Sequence, residues 1–460
     1  MQRLFLSLAV ALSPALAIAQ TSPGKTVPPN FLLIIADDCT WSDMQIHGGQ
    51  AKTPNLQKLA AEGMQFDQCF QAAPMCSPTR HALYTGLYPV KSGAWPNHTM
   101  AYDWVKSIGH YLQAAGYRTH LCGKTHIRPK SVFPFEYSKL KAKLRPAPVD
   151  RFFGECAAEG KPFLMIAASN EPHSPWNKGD SSAYPPAKIK LPPVLADTPR
   201  TRQLFSSYLA EITYFDAQVG GLLGLLDQHK LADNTIVVVL SEQGNAFPFA
   251  KWTCYDAGLR SAMLTRWPGR VKPGSRSSAL VEYIDIVPTF LAAAGIPQPE
   301  VLDGRSFLAV LDGKAKQHKE FVFGLQTSKG IHSCEQHYGI RSVRDSRYRY
   351  ILNLTPEIAF QNTVTESGNK FGWASWKAAE AAGDTRAERL VHDYQYRPAV
   401  ELFDCQQDPW NRTNLIQKPE LADVATRLRG ELDRWMKSQG DKGQATELAA
   451  TSRQRRAKKK

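Results

Sequence analysis

Four short, largely apolar runs mark the first 240 residues, at 31–36, 119–122 (the weakest, Thr-His-Leu-Cys), 163–168 and 235–240. Each is too short for a buried helix, and none alternates with polar positions. That is the pattern of strands covered on both faces, as in a parallel sheet. Between them the spacing predicts helices over 54–61, 78–84, 105–115 and 205–227. Strands alternating with helices predict an α/β fold: a large, mostly parallel sheet sandwiched by helices.

The residues that follow each run carry the chemistry. Asp37 and Asp38 follow the first, Lys124 and His126 the second, Asn170 to His173 the third, and Glu242 and Gln243 the fourth. Open α/β sheets bind ligands beyond the carboxyl ends of their strands. Four segments would therefore deliver polar groups into one crevice. Asp37, Asp38, Glu242 and Gln243 are oxygen donors suited to a hard cation, Ca²⁺ or Mg²⁺, rather than to zinc. Lys124, His126, His173 and Lys251 suit a tetrahedral oxyanion held against that cation. Alone, each feature has an ordinary structural reading, an Asp pair as a cap or a single His as a core residue; the conjunction is what points to a site.

Composition narrows the class. With 460 residues, 43% hydrophobic and 21% charged, the chain is neither disordered nor collagen-like nor a coiled coil. After the N-terminus no apolar run approaches the ~20 residues that span a bilayer. The first 19 residues read as an export signal: Arg3, an apolar stretch over 4–16, and Ala17-Ile18-Ala19 as the cleavage site. This predicts a periplasmic or secreted protein. The net charge of +14 includes six cations in the last eight residues and Arg3 in the leader, leaving +7 on the body. Residues 441–460 are expected to be a basic, disordered tail. The tail lacks interleaved aromatics, so nucleic acid is not an expected partner. Eight dispersed cysteines form no CxxC pair, and their connectivity is not readable from spacing.

One further segment, Met75-Cys76-Ser77-Pro78-Thr79-Arg80, opens a predicted helix. Ser77 and Pro78 suit a helix start. Cys76 would then lie where backbone N–H groups favour negative charge. The pattern Cys76-x-Pro78-x-Arg80 with Thr85-Gly86 resembles the signature of the type I, formylglycine-dependent sulfatases. Gly123-Lys124-x-His126, Pro172-His173 and the Glu401-Leu402-Phe403-Asp404 element with Asp408-Pro409 resemble further elements of that family. Residues 135–137, 208–220 and 341–343 are similar to its heparan N-sulfatase (sulfamidase) branch.

The resemblance implies an alkaline-phosphatase-like catalytic domain over 20–325 and a smaller C-terminal α+β subdomain of antiparallel strands and a helix over 326–440. It implies that a formylglycine-generating maturation enzyme converts Cys76 to 3-oxoalanine. One Ca²⁺, with Mg²⁺ as the alternative, would be held by Asp37, Asp38, residue 76, Glu242 and Gln243. Arg80, Lys124, His126, His173 and Lys251 would complete the catalytic set acting on a sulfated glycan. Two departures stand out: Glu242-Gln243 replaces the usual Asp followed by Asn or His, and Lys251 replaces the Arg of the sulfamidase branch. A point charge and a planar fork are different partners for an anion, so O-sulfate and N-sulfate both stay open. A phosphonate or phosphate ester hydrolase of the same superfamily, or an inactive glycan-binding relative, are the alternatives. Residues 174–199 and 332–349, with His332, Glu335, His337, Arg341 and Arg347, are expected to wall the substrate pocket.

Overall fold

A computed structural model describes residues 27–138, 143–334 and 336–454. The expected leader (1–19), Glu335 and the last six residues of the expected tail lie outside the described residues. Nine strands form the main sheet: β1 (Asn30–Ala36), β2 (Met64–Phe70), β3 (Arg118–Gly123), β4 (Glu136–Tyr137), β5 (Phe163–Ala168), β6 (Thr235–Ser241), β7 (Arg260–Arg266), β8 (Ser275–Ser277) and β9 (Val281–Glu282). Their order is β4-β3-β5-β1-β6-β7-β2-β8, with β9 also on β2. The four apolar runs are β3, β5, β1 and β6, contiguous and mutually parallel. β7 runs antiparallel to β6 and to β2, which makes the sheet mixed.

Strand periodicity divides the core in two. Leu32, Ile34 and Ala36 face one apolar cluster and Phe31, Leu33 and Ile35 the other. The first side is covered by the Pro54–Glu62, Pro146–Glu159 and Pro199–Gln228 helices, the second by Ile108–Ala114 and Ile286–Ala293. The Pro199–Gln228 helix begins six residues before residue 205, the expected start. Thr198 accepts from Thr201 N at 3.1 Å, and Pro199 occupies the first turn, where its missing N–H costs nothing.

A second sheet is antiparallel: β10 (Val322–Thr327), β11 (Gly339–Arg344), β12 (Tyr348–Asn353) and β13 (Val400–Asp404). Leu428, Leu432 and Trp435 of the Ala422–Gln439 helix pack on Leu325, Val343, Tyr350 and Leu402. The two sheets are joined through Asp256, just before β7. Its Oδ1 accepts from Arg344 Nε at 3.1 Å and Arg349 Nε at 2.8 Å, and all three side chains are buried.

Part of the expected tail is folded. Residues Gln444–Arg453 form a helix that buries Thr446, Glu447 and Ala450. Asp441, also buried, accepts from the Arg341 guanidinium, and Glu447 lies 3.8 Å from the same group. The composition of the last eight residues suggested a solvated run over 441–460, but residues 441–453 supply the anions that Arg341 needs inside the protein.

Burial alone would raise the Asp256 pKa; Arg344 and Arg349 outweigh it and hold the carboxyl at about 2. Since that is below the ordinary value of 3.8, the cluster's contribution is full above about pH 4 and is lost as pH falls toward 2, about 2 kcal/mol in all. Urea unfolding between about pH 5 and 2.5 should therefore show a steeper acid loss in the native protein than in Asp256→Asn. Equal slopes would remove this cluster from the acid response.

Candidate active site

Sheet register does the first part of the positioning. Ala36 pairs with Ser241 across β1 and β6, so Asp37 and Glu242 leave neighbouring strand ends side by side. Glu242 N donates to Ala36 O at 3.0 Å, and Cys39 N donates to Glu242 O at 3.1 Å. On the other flank Asp37 N donates to Glu171 O and Lys124 N to Ala168 O, both at 2.9 Å. Gly123 ends β3 at φ 100°, and a Cβ there would lie 2.0 Å from Ala168 O. Only glycine lets the chain turn here and present Lys124.

The Cys76–Thr85 helix brings the other half. Cys76 is its first residue, 4% exposed, after an extended Met75. Ser77 lies within the first turn instead of capping it, and its hydroxyl has no partner. Arg80 follows one turn after Cys76 on the same helix face. Its guanidinium, fully buried, pairs with both oxygens of Glu242 and donates from Nη1 to Lys124 O at 3.0 Å.

The remaining charges interlock. Lys124 Nζ donates to Asp37 Oδ2, and Lys251 Nζ lies 2.7 Å from both oxygens of Asp38. Gln243 Nε2 donates to Asp38 Oδ1 at 2.6 Å, and His173 Nε2 lies 3.5 Å from Asp38 Oδ2. His173 Nδ1 is 2.6 Å from Ser174 O. Burial opposes ionisation of Asp37, but Lys124, His173, Arg80 and Lys251 together hold its carboxyl below the ordinary range. Asp38 is lowered against the same burial, chiefly by His173 and Lys251. Burial, then Lys124 and Arg80, push His126 well below a free histidine.

Two buried oxygens, Asp37 Oδ1 and Gln243 Oε1, have no hydrogen-bond partner. They lie beside Asp38 and Glu242 in a setting of carboxylate and amide oxygens, which fits a hard divalent cation. Among the described residues no three His, Cys, Asp or Glu side chains cluster by themselves as a metal site. Gln243 would have to be a ligand, and the Glu242 carboxylate is shared with Arg80.

Cys76, Asp38, Lys124, His126, His173 and Lys251 line a single cavity of about 770 Å³. Arg80, Asp37, Glu242 and Gln243 lie behind this lining, fully buried. Four lining residues, Asp38, His98, His126 and Trp252, hold φ between 53° and 67°. Non-glycine residues rarely occupy that region, and such strain concentrates at functional sites.

The expected walls need correction. Ser174 and His332 do line the cavity. Arg341 is consumed by Asp441, Arg347 donates to Asp404 Oδ2 at 2.8 Å, and His337 Nδ1 lies 3.1 Å from Glu447 O. Trp176, in the expected loop wall, is half-buried and stacks on Phe247 at 5.1 Å, against the core. The wall is instead built by Asn97 to Thr99, Arg128, Trp252, Thr363 and Lys370. None of these belongs to a motif; the cluster of polar residues at 97–99, after a helix-breaking Gly93, was the one available signal.

Comparison with known proteins identifies the family. The profile described as Sulfatase matches residues 29–296, and that described as N-sulphoglucosamine sulphohydrolase, C-terminal, matches 244–359. An ulvan-active sulfatase of Formosa agariphila is 32% identical over 438 residues, covering 92% of this chain and 83% of its own. Human N-sulphoglucosamine sulphohydrolase is 27% identical, covering 89% and 90%. A solved structure of a protein with its substrate D-glucosamine-2-N,6-O-disulfate has a TM-score of 0.70 at 19% identity, covering 90% and 99%. The chain belongs to the sulfatase family, the sulfuric ester hydrolases.

Proposed function

We propose that the protein is an exported sulfatase that removes sulfate from an anionic saccharide, using a formylglycine at position 76 and one Ca²⁺. The observation that carries this reading is the convergence of Cys76 with Lys124, His126, His173 and Lys251 on one cavity. Asp37, Asp38, Glu242, Gln243 and residue 76 would hold the cation, with Mg²⁺ the alternative. With that group and cation bound, a hydrated aldehyde would supply the nucleophile for sulfur, which a thiol does poorly.

The chain's own residues do the rest. Lys124 and Lys251 are fixed by Asp37 and Asp38, so their charge is preorganised for the sulfate oxygens. Arg80 does not move to substrate; it locks Glu242 and the Lys124 carbonyl. His126 is the base. His173 is the acid: its Nδ1 lies 2.6 Å from Ser174 O, which orients the ring, and the ring lines the cavity, where it can protonate the leaving oxygen. Lys251, held on both Asp38 oxygens, is less free to do so.

The substrate reading rests on the relatives and on the exposed cations Arg128 and Lys370 at the cavity. An O-sulfate is favoured over an N-sulfate because Lys251 replaces a planar fork with a point charge. The leader composition supports a periplasmic or secreted location. Among the described residues no helix is long and apolar enough to cross a membrane.

Incubation with ulvan, heparan and chondroitin oligosaccharides, read by ion chromatography, should release sulfate from at least one. Release of phosphate from phosphate esters, or of free phosphonate from phosphonate esters, with no sulfate from any substrate, would replace this reading. Peptide mapping of active protein should find residue 76 about 18 Da lighter than cysteine, and Cys76→Ala should be inactive but folded. A fully active enzyme with an intact thiol is incompatible with the mechanism. Gln243→Leu, which removes the free amide oxygen, should weaken calcium binding by about tenfold or more in calorimetry; unchanged affinity would place the cation elsewhere.

A further inference from the structure

His98 belongs to no motif, yet its Nδ1 lies 2.9 Å from His126 Nε2, with the ring centroids 4.7 Å apart. Both residues hold left-handed backbone, φ 55° and 53°, a conformation His and Asn tolerate better than most. The juxtaposition is therefore built into the backbone and is not a side-chain coincidence.

The loop that carries His98 is clamped by the far end of the chain. Arg453 donates from Nε to Gly93 O at 2.9 Å and from Nη2 to Met100 O at 2.8 Å, and its guanidinium lies over the Tyr102 ring at 4.2 Å. Thr99 Oγ1 donates to Arg453 O at 3.1 Å, Gln454 Nε2 to Asn97 O at 3.3 Å, and Thr99 and Gln454 form an antiparallel bridge. Asn97 N donates to Lys329 O at 3.1 Å. Five hydrogen bonds thus fix a short loop whose Trp95, Asn97 and Thr99 are buried while His98 and Met100 are exposed.

The direction of the His98–His126 bond follows from charge. Burial and the neighbouring cations keep both rings neutral, His98 down at about 4. One N–H is therefore shared between Nδ1 of His98 and Nε2 of His126. The other nitrogen of His126, Nδ1, is buried without a partner in the field of Lys124 and Arg80. A positive field favours a lone pair there over an N–H dipole.

We propose that His98 is a positioning residue: it accepts the Nε2–H of His126, holds that ring in one tautomer, and leaves Nδ1 as the lone pair that takes a proton in the site, with Arg453 and Gln454 keeping His98 in place. The catalytic half of this inference rests on the desulfation reading; the tautomer half does not.

Ring-¹⁵N histidine labelling of the full chain, with His126 assigned by comparison with His126→Gln, reads the tautomer directly. The native spectrum should show His126 protonated on Nε2. His98→Ala should convert that signal to a mixture of tautomers. His98→Asn places an acceptor near the same point and tolerates φ 55°, so it should keep the native pattern. In sulfate release, His98→Ala should lower kcat by about tenfold or more with KM within about twofold, since a positioned base contributes roughly 10²–10⁴. His98→Asn should recover most of that loss, and Arg453→Met should fall between. Protonated Nδ1 on His126 in the native protein overturns the proposal. So does a His98→Ala spectrum and kcat like the native ones, or an equal loss in His98→Asn and His98→Ala. If the spectra respond as expected while the native protein releases no sulfate from any ester, the positioning role stands and the desulfation reading falls.

Discussion

The Arg80–Glu242 pair is the interaction on which the site depends. A guanidinium with no solvent exposure occupies the junction of the Cys76–Thr85 helix, the end of β6 and the end of β3. Buried charges are tolerated only when paired and hydrogen-bonded, and here Glu242 and the Lys124 carbonyl supply both. The pairing has two consequences. It fixes the distance between the residue-76 helix and the strand ends, and it takes up the carboxylate that chemical intuition would give wholly to a metal. Asp37 and Asp38 are then balanced by Lys124 and Lys251, so each acid of the site has a cation within reach.

The strand ends were legible because parallel strands buried on both faces leave long apolar runs, and the first polar residues after them mark the ligand side. β1, β3, β5 and β6 were found this way. β2 and β7 were not. Met64–Phe70 reads Met-Gln-Phe-Asp-Gln-Cys-Phe, and Arg260–Arg266 is flanked by arginines, so neither presents a continuous apolar run. What those polar groups do is visible only in three dimensions: Gln65 Nε2, for example, donates to Ile46 O at 3.1 Å.

The pocket walls were less legible, for a related reason. Arginine on a strand reads as solvated or substrate-facing, yet Arg341, Arg344 and Arg349 are all buried and paired with Asp441 or Asp256. Charge in the sequence does not declare whether its partner is substrate or a residue 88 or 100 positions away. The same long reach governs Arg453, which lies in a stretch whose composition suggests a loose tail but which braces a cavity loop 353 to 360 positions earlier.

The burial of Cys76 also has a temporal side. The groups that enclose its helix, Glu242 above all, lie 162 residues beyond Arg80. Chains emerge from the ribosome at about 5–20 residues per second, so the thiol stays uncovered for roughly 8–30 s before its lid exists. After that it lies at the helix N-terminus with 4% of its surface exposed, reached only through the cavity. A reagent that must grip the chain on both sides of position 76 therefore meets it more readily within that interval than after folding, so the order of synthesis sets when this side chain is open to change.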